Sequence, residues 1–373
     1  MTVQINQDEA LKMLEELVNI DSGSYVKEGV DRVGSYLRGL YEALGFEAEE
    51  LVNTEHGNNI SLKHKDAKDP EIIAIAHMDT VFPEGTAAER PFSIQGDRAC
   101  GPGVIDMKAS HVMLYHAVKA LSEAGDESYK NIEILLTSDE EIGSVSSRRV
   151  IEAHSKTKKY ALVLEPARAD GSIVSARRGA GSYELEITGK AAHSGIEPDN
   201  GSSAIKELAH KIFEIEALSR PDEGLHVNVV QAGGGEAANM IAPNAHAVVD
   251  VRISKMSQGE WVDAQIRKIA EAVQVDGTTV ELSGGVNRPP MEYTEGTKKM
   301  VDLITEEGSK LGLEIKHTHT GGGSDASFPA ALGVDTLDGL GPVGGKQHSA
   351  EEYLETESLV ARTELFINFL KRL

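Results

Sequence analysis

One cysteine, Cys100, stands in 373 residues. That excludes an internal disulfide framework and fits a reducing compartment, so a cytoplasmic location is expected. Positive charge is also short: Lys and Arg number 37 against 60 Asp and Glu, for a net charge of -23. Nucleic acid and anionic membrane surfaces are poor partners for such a chain. A small anionic substrate stays open, because a few local cations override a distant field. No apolar run approaches the ~18 residues of a membrane span. The start, MTVQINQDEALKM, lacks a basic segment followed by an apolar core, so no signal peptide is expected. Aromatic content of 5% and apolar content of 40% suit an ordinary globular chain. The length exceeds a single small core and points to two domains.

What is present is organised around IIAIAHMD, residues 72–79. The apolar run reads as a fully buried strand that ends in polar residues. Side chains two apart on a strand share a side, so His77 and Asp79 can touch one object together. His77 reads as a metal ligand and Asp79 as the carboxylate that holds its ring. Two further buried strands follow, IEILLT (132–137), which runs into SDEEIGS, and YALVLEP (160–166), which ends in a glutamate. Helical spacing is seen at 8–19, 27–44, 107–124 and 145–154, and an irregular loop is expected over 80–105. Strands alternating with helices predict a mostly parallel sheet, with sites at the carboxyl ends of its strands.

The pattern changes at Arg177-Arg178-Gly179. Strand 182–189, helix 202–218, two strands, a second helix and a last strand spell β-α-β-β-α-β, the ferredoxin-like layout. After Pro289-Pro290 the α/β pattern returns, with helix 295–311, strand 313–318, a glycine loop at 321–323, helix 325–332, strand 334–337 and helix 357–372. The expected division is therefore a discontinuous α/β catalytic domain, 1–177 and 289–373, with a smaller domain, 178–288, inserted.

The chemistry gathers at strand ends. His77, Asp79, Asp106, Glu140, Glu141, Glu165 and His348 provide imidazoles and carboxylates without a thiolate. Zinc suits this set, with manganese or cobalt as alternatives. The groups exceed the needs of one catalytic zinc and suit two cations about 3.5–4 Å apart, bridged by a carboxylate. Asp106, between a glycine-rich loop and a helix start, is the bridging candidate. Glu140 and Glu141 lie outside a regular strand, so one can bind metal while the other stays free as a base. Singly, each residue has a plainer reading: His77 a core histidine, Asp106 a helix cap, Glu140-Glu141 a solvated turn, His348 a surface loop. Glu165 is harder to dismiss, since an apolar run ending in a lone carboxylate buries charge without a partner. Co-occurrence at one sheet edge favours the metal site.

The motifs AHMDTVFP, GPGVIDMKAS, TSDEEIGS, LVLEP, TGKAAHSG, GGGSDAS and KQHSAEEY resemble those of the aminoacylase / glutamate carboxypeptidase / peptidase T family of co-catalytic zinc hydrolases. The resemblance spans about residues 8–373 in the same order, and DEEIGSxxSR with GGGSDAS points within it to bacterial glutamate carboxypeptidase. It implies two zinc ions per subunit, with Co2+ or Mn2+ as substitutes. His77, Asp106 and Glu165 would hold one ion, and Asp106, Glu141 and His348 the other. Glu140 would be the general base and Asp79 the residue orienting His77. The inserted domain would serve as lid and homodimer surface. His193 and Asn239 would reach the scissile carbonyl, Arg288 would grip the substrate carboxylate, and the loop around Gly322 would line that pocket. The implied activity is hydrolysis of an amide bond in a small peptide or N-acyl amino acid. A carboxypeptidase acting on a C-terminal residue, with glutamate as the candidate, is the first choice; a dipeptidase, tripeptidase or N-acyl amino acid deacylase is the alternative. A non-catalytic metal-binding protein is the reading from another class, disfavoured because the ligand set is complete.

The sequence departs from the family pattern at Ala109, where glycine is usual, and at Cys100, where an aromatic residue is commoner. The thiol reads as inert rather than as an extra ligand. His317 and His319 alternate on a strand and read as a polar face. His111 and His116 on the helix at 107–124 are expected to be partly exposed. The glycine loop lacks the Lys-Ser/Thr ending of a phosphate-binding loop.

Overall fold

Strand Ile72–His77 is buried at every position. Ile72, Ala74 and Ala76 join Ile132, Ile134 and Leu136 of the neighbouring strand in one apolar cluster. Ile73, Ile75 and Leu135 point the other way and are buried too. Burial on both faces is why these strands are written in uninterrupted aliphatic residues. Each such isoleucine contributes about 1.5–3 kcal/mol relative to exposure.

The computed structural model describes residues 5–373. The chain forms two compact units. The first runs to Ala176 and includes Tyr293–Thr320 and Ser324–Leu373. Its six-stranded sheet has the order Phe46–Leu51, Asn59–His64, Ile132–Thr137, Ile72–His77, Tyr160–Val163, Asp335–Leu337. The last four strands are mutually parallel, and Asn59–His64 alone runs against the rest. Helices Gln7–Val18, Lys27–Ala43, Ala109–Glu123, Glu295–Lys310 and Thr356–Leu370 supply Leu14, Leu37, Val112, Ile304 and Phe366 to the cluster on one face. Asn6 caps the first helix, its side chain accepting the N–H groups of Asp8 and Glu9.

Three expectations need correction. Residues 80–105 are not irregular throughout: they hold a short helix, Thr86–Glu89, and a hairpin, Ser93–Gln95 with Arg98–Cys100. Gly96, at φ 65°, makes the two-residue turn possible. The hairpin extends through Tyr353–Glu355 to Gly344–Gly345 as a four-stranded antiparallel sheet. The strand expected at 313–318 forms instead at His317–Thr320, paired with Ile173–Arg177, a strand the periodicity did not reveal. His111 and His116 are buried, not partly exposed. Their helix packs against Gln7–Val18 and Thr356–Leu370 as well as against the turn before it, so little of its circumference is left to solvent.

The second unit comprises Arg177–Glu292 and Gly321–Gly323. Its antiparallel sheet has the order His226–Gly234, Asn244–Ile253, Gly179–Thr188, Thr279–Arg288. Helices Ala204–Glu216 and Met256–Glu271 complete the expected β-α-β-β-α-β sequence. Tyr183, Leu185 and Ile187 are buried while Ser182, Glu184 and Glu186 are exposed, the alternation of a sheet with one covered face.

Candidate active site

Parallel register aligns the carboxyl ends of three strands. His77 pairs with Thr137, and Ile75 with Val163. The chain beyond Thr137 enters the turn bearing Glu140 and Glu141, and the chain beyond Val163 reaches Glu165. These ends meet two loops from elsewhere. His77 Nε2 lies 3.1 Å from Asp106 Oδ1 and 3.8 Å from Glu165 Oε1. His348 Nε2 lies 3.5 Å from Asp106 Oδ2 and 3.0 Å from Glu141 Oε2. Each oxygen of Asp106 therefore faces a different histidine. One ligand atom each from His77, Glu140 and Glu165 falls within 4.8 Å of the others, and so do those of His77, Asp106 and Glu141.

Several residues to which the sequence gives no role in the site hold these groups. Glu352 is buried, and its carboxylate accepts the N–H groups of Gly103, Ile105 and Asp106 at 3.0, 2.9 and 3.1 Å. Gly103 is required here: its φ is 69°, and a Cβ would stand 2.5 Å from Thr80 Cγ2. Gly341 packs under Glu165, where a Cβ would come within 2.9 Å of the Glu165 carbonyl oxygen. Asp139 accepts from the backbone and hydroxyl of Ser146, both at 2.6 Å, and from Ser147. Asp325 accepts from Ser144 Oγ and Thr137 Oγ1. His111 Nε2 meets the His77 carbonyl at 2.7 Å. The sequence signal for Gly103, Asp139, Asp325 and Glu352 is their membership in the motifs GPGVIDMKAS, TSDEEIGS, GGGSDAS and KQHSAEEY, which assigns them no role.

Asp79 is fully buried. The His77 Nδ1 meets the Asp79 backbone carbonyl at 2.9 Å, and the Asp79 carboxylate comes no nearer to it than 3.5 Å. That carboxylate accepts instead from Ser24 Oγ at 2.7 Å and from the N–H groups of Glu140 and Glu141 at 3.1 and 3.2 Å. A ring donating from Nδ1 presents its Nε2 lone pair to the cluster.

Electrostatics shows what the cluster demands. Burial opposes a charged His77, but the hydrogen bond to Asp106 and the nearby carboxylates of Asp79 and Glu165 pull it well above the usual imidazole range. Asp106 and Glu141 pull His348 up to about 10. Burial and the charge of Asp106 push Glu165 well above the carboxylate range. Burial raises Glu141 as well. Burial works against Asp106 too, yet its bonds to His348 and His77 hold it below the usual range. Carboxylates crowded this closely call for positive charge, and Glu141 Oε1 is buried with no hydrogen-bond partner. A divalent cation fits both facts, and oxygen and imidazole donors without thiolate suit zinc, manganese or cobalt.

The other predicted residues lie in the second unit. His193 and Asn239 are on facing exposed loops, joined by the Ser194 N–H to the Asn239 carbonyl at 3.0 Å. Arg288 packs on the glycine loop, where a Cβ on Gly323 would meet its Cδ at 2.6 Å. Arg177 also holds that loop: its Nη1 donates to the carbonyls of Gly322 and Gly323 at 3.0 and 3.2 Å. In the first unit, His317 and His319 are exposed, with His317 stacked on Tyr293 and bonded to Ser175. Cys100 is half-buried opposite Tyr353, and burial raises its thiol pKa.

Fold and site together define a metallohydrolase. Residues 73–372 match Peptidase family M20/M25/M40, and the chain belongs to that family. It is a hydrolase, and members of its family bind metal. Carboxypeptidase G2 of Pseudomonas sp. (strain RS-16) is 32% identical over 367 residues, 95% of this chain and 87% of that protein. A succinyl-diaminopimelate desuccinylase of Thioalkalivibrio sulfidiphilus is 27% identical over 350 residues, 88% of this chain and 90% of that one. The crystal structure of aminopeptidase PepT from Bacillus cereus superposes with a TM-score of 0.80 at 25% identity, covering 98% of each chain. Among the described residues no helix is long and apolar enough to cross a membrane.

Proposed function

We propose that this hydrolase is a di-zinc carboxypeptidase that cleaves an amide bond beside a free carboxylate, in a small peptide or an N-acyl amino acid, with glutamate as the first candidate for the released residue. The observation that carries the reading is the posture of Asp106, whose two oxygens face His77 and His348 separately. His77, Asp106 and Glu165 would hold one cation, and Asp106, Glu141 and His348 the other. When bound, the two cations supply Lewis-acid and water-acidifying chemistry.

The chain's own residues do the rest. Glu140 takes a proton from the attacking water and returns it to the leaving amine. Asp79 fixes the backbone of Glu140 through its N–H, while the Asp79 carbonyl orients His77. From the second unit, His193 donates to the developing oxyanion, Asn239 and Gly322 contact the substrate, and Arg288 pairs with its carboxylate. Carboxypeptidase G2, at 32% identity, supports the carboxyl-side reading. The PepT likeness favours a second reading, an aminopeptidase, which requires a carboxylate to receive the substrate ammonium. The protein is further proposed to act as a cytoplasmic homodimer joined through the second unit, a role that suits its exposed Phe213 and the edge strand His226–Gly234.

Turnover of the zinc-reconstituted enzyme on N-acyl amino acids, N-acyl glutamates, dipeptides and amino-unblocked tripeptides tests the proposal. Cleavage of blocked substrates with a free carboxylate, lost when the carboxylate is amidated, is expected. Activity confined to substrates with a free amino terminus would overturn it, and so would turnover that survives exhaustive chelation.

A further inference from the structure

We infer that Glu352 is a positioning residue that ties the His348 turn to the Asp106 loop and so sets the affinity of the cation held by Asp106, Glu141 and His348; this rests on the two-cation reading above. Glu352 is 1% exposed. A carboxylate taken out of water so completely is tolerated only with charge-assisted partners. Glu352 finds them in three successive-loop amides, those of Gly103, Ile105 and Asp106. No helix supplies acceptors for these amides, because they stand at the start of the helical turn Val104–Lys108 that leads into Ala109–Glu123. The backbone of the bridging carboxylate is thus fixed by a side chain from the His348 loop.

The ligands differ in what else secures them. His77 ends a strand paired on both sides. The backbone at Glu165 is tied by Leu164 N–H to Ile75 and by Gly341 N–H to the Glu165 carbonyl. The Glu141 N–H is held by Asp79. His348 has no comparable support. Lys346, His348, Ala350 and Glu351 are exposed, and Lys346 and His348 have φ of 57° and 61°. Apart from the His348 ring, which meets Asp106 and Glu141, and one exposed bond from Arg90 to Ala350, the contacts of the turn among the described residues are local, Ser349 Oγ to the Lys346 carbonyl and Lys346 to Glu351. Glu352 is the buried end of this turn. Its loss would loosen two of the three ligands of one cation, Asp106 and His348, but only Asp106 of the other.

The test is Zn2+ and Co2+ binding to the full-length protein, by competition with a chromophoric chelator and by metal content after dialysis. Glu352→Gln keeps one acceptor oxygen and turns an amide donor toward a donor. The variant is expected to hold one ion within about threefold of the parent affinity. The second ion should be weakened at least ~10-fold, with an altered Co2+ absorption spectrum for that ion. Glu352→Asp, which keeps the charge but is one methylene shorter, should fall between and serves if the glutamine variant does not fold. Parental affinity for both ions, or equal weakening of both alongside a lower melting temperature, would overturn the inference. A parent protein that binds fewer than two ions would instead refute the two-cation reading on which it stands.

Discussion

Asp79 Oδ1 accepts the backbone N–H of Glu140 at 3.1 Å, and its other oxygen accepts that of Glu141 at 3.2 Å. A buried carboxylate thus fixes the turn that carries both the proposed base and a proposed metal ligand. Asp79→Asn keeps the shape but replaces one acceptor oxygen by an amide donor. Because its partners act as ligands, kcat is expected to fall about 10–100-fold, with metal affinity reduced by a similar factor. Steady-state kinetics at saturating zinc, with metal titration, checks it; an unchanged metal affinity would confine Asp79 to the base.

Glu140→Gln removes the proton carrier and leaves every proposed ligand in place. We expect kcat to drop by roughly 10²–10⁴-fold, with zinc content as in the parent. A variant that loses one ion as well would show that Glu140 binds metal, a role its closeness to His77 and Glu165 allows.

Glu133 offers a pH test away from the site. Burial would raise its pKa, but hydrogen bonds from His154, Lys158 and Ser61 outweigh burial and take it down to about 2. A folded pKa below the unfolded one contributes stability that is full above the unfolded value and lost as pH falls through the folded one. The window is therefore about pH 4.5 down to about 2, and the contribution is on the order of 3 kcal/mol. Melting temperature against pH should show Glu133→Gln destabilised at neutral pH, with the gap to the parent narrowing across that window. A constant gap would disprove the linkage.

Lys211 and Glu207 form an ion pair with both side chains fully buried in the second unit. Lys211 Nζ also donates to the Ile269 and Ala272 carbonyls, and Glu207 accepts from Gln274 and Val275. Lys211→Met leaves the carboxylate without its counter-charge and should cost about 3–5 kcal/mol. The double variant Lys211→Met with Glu207→Gln should recover part of that loss. Differential scanning calorimetry reads both.

Much of the fold is legible in the sequence. Residues 72–77 and 132–137 are strands because uninterrupted aliphatic runs of that length have no other way to bury both faces. The chain order β-α-β-β-α-β was visible in the alternation of polar and apolar residues after 177. His77, Glu140, Glu141 and Glu165 follow directly from buried strands, so parallel pairing alone brings them together. His348 and Asp106 sit in loops where periodicity carries no signal; Asp106 is suggested by its place between a glycine-rich loop and a helix start, and the motif resemblance adds the pairing of ligands.

What the sequence by itself determined is the set of strands, the order of elements and the residue types available at the strand ends, because these depend on local periodicity and solvent transfer. Only the tertiary structure decided how the loops are held. That Glu352 anchors the amides of the Asp106 loop, that Asp79 serves the Glu140 turn with its carboxylate and His77 with its carbonyl, and that His111 is buried are relations between residues 34 to 249 positions apart or between competing acceptors on one residue. Hydrogen bonds of that kind are chosen by three-dimensional proximity in a medium that excludes water, and no local pattern of side chains encodes them.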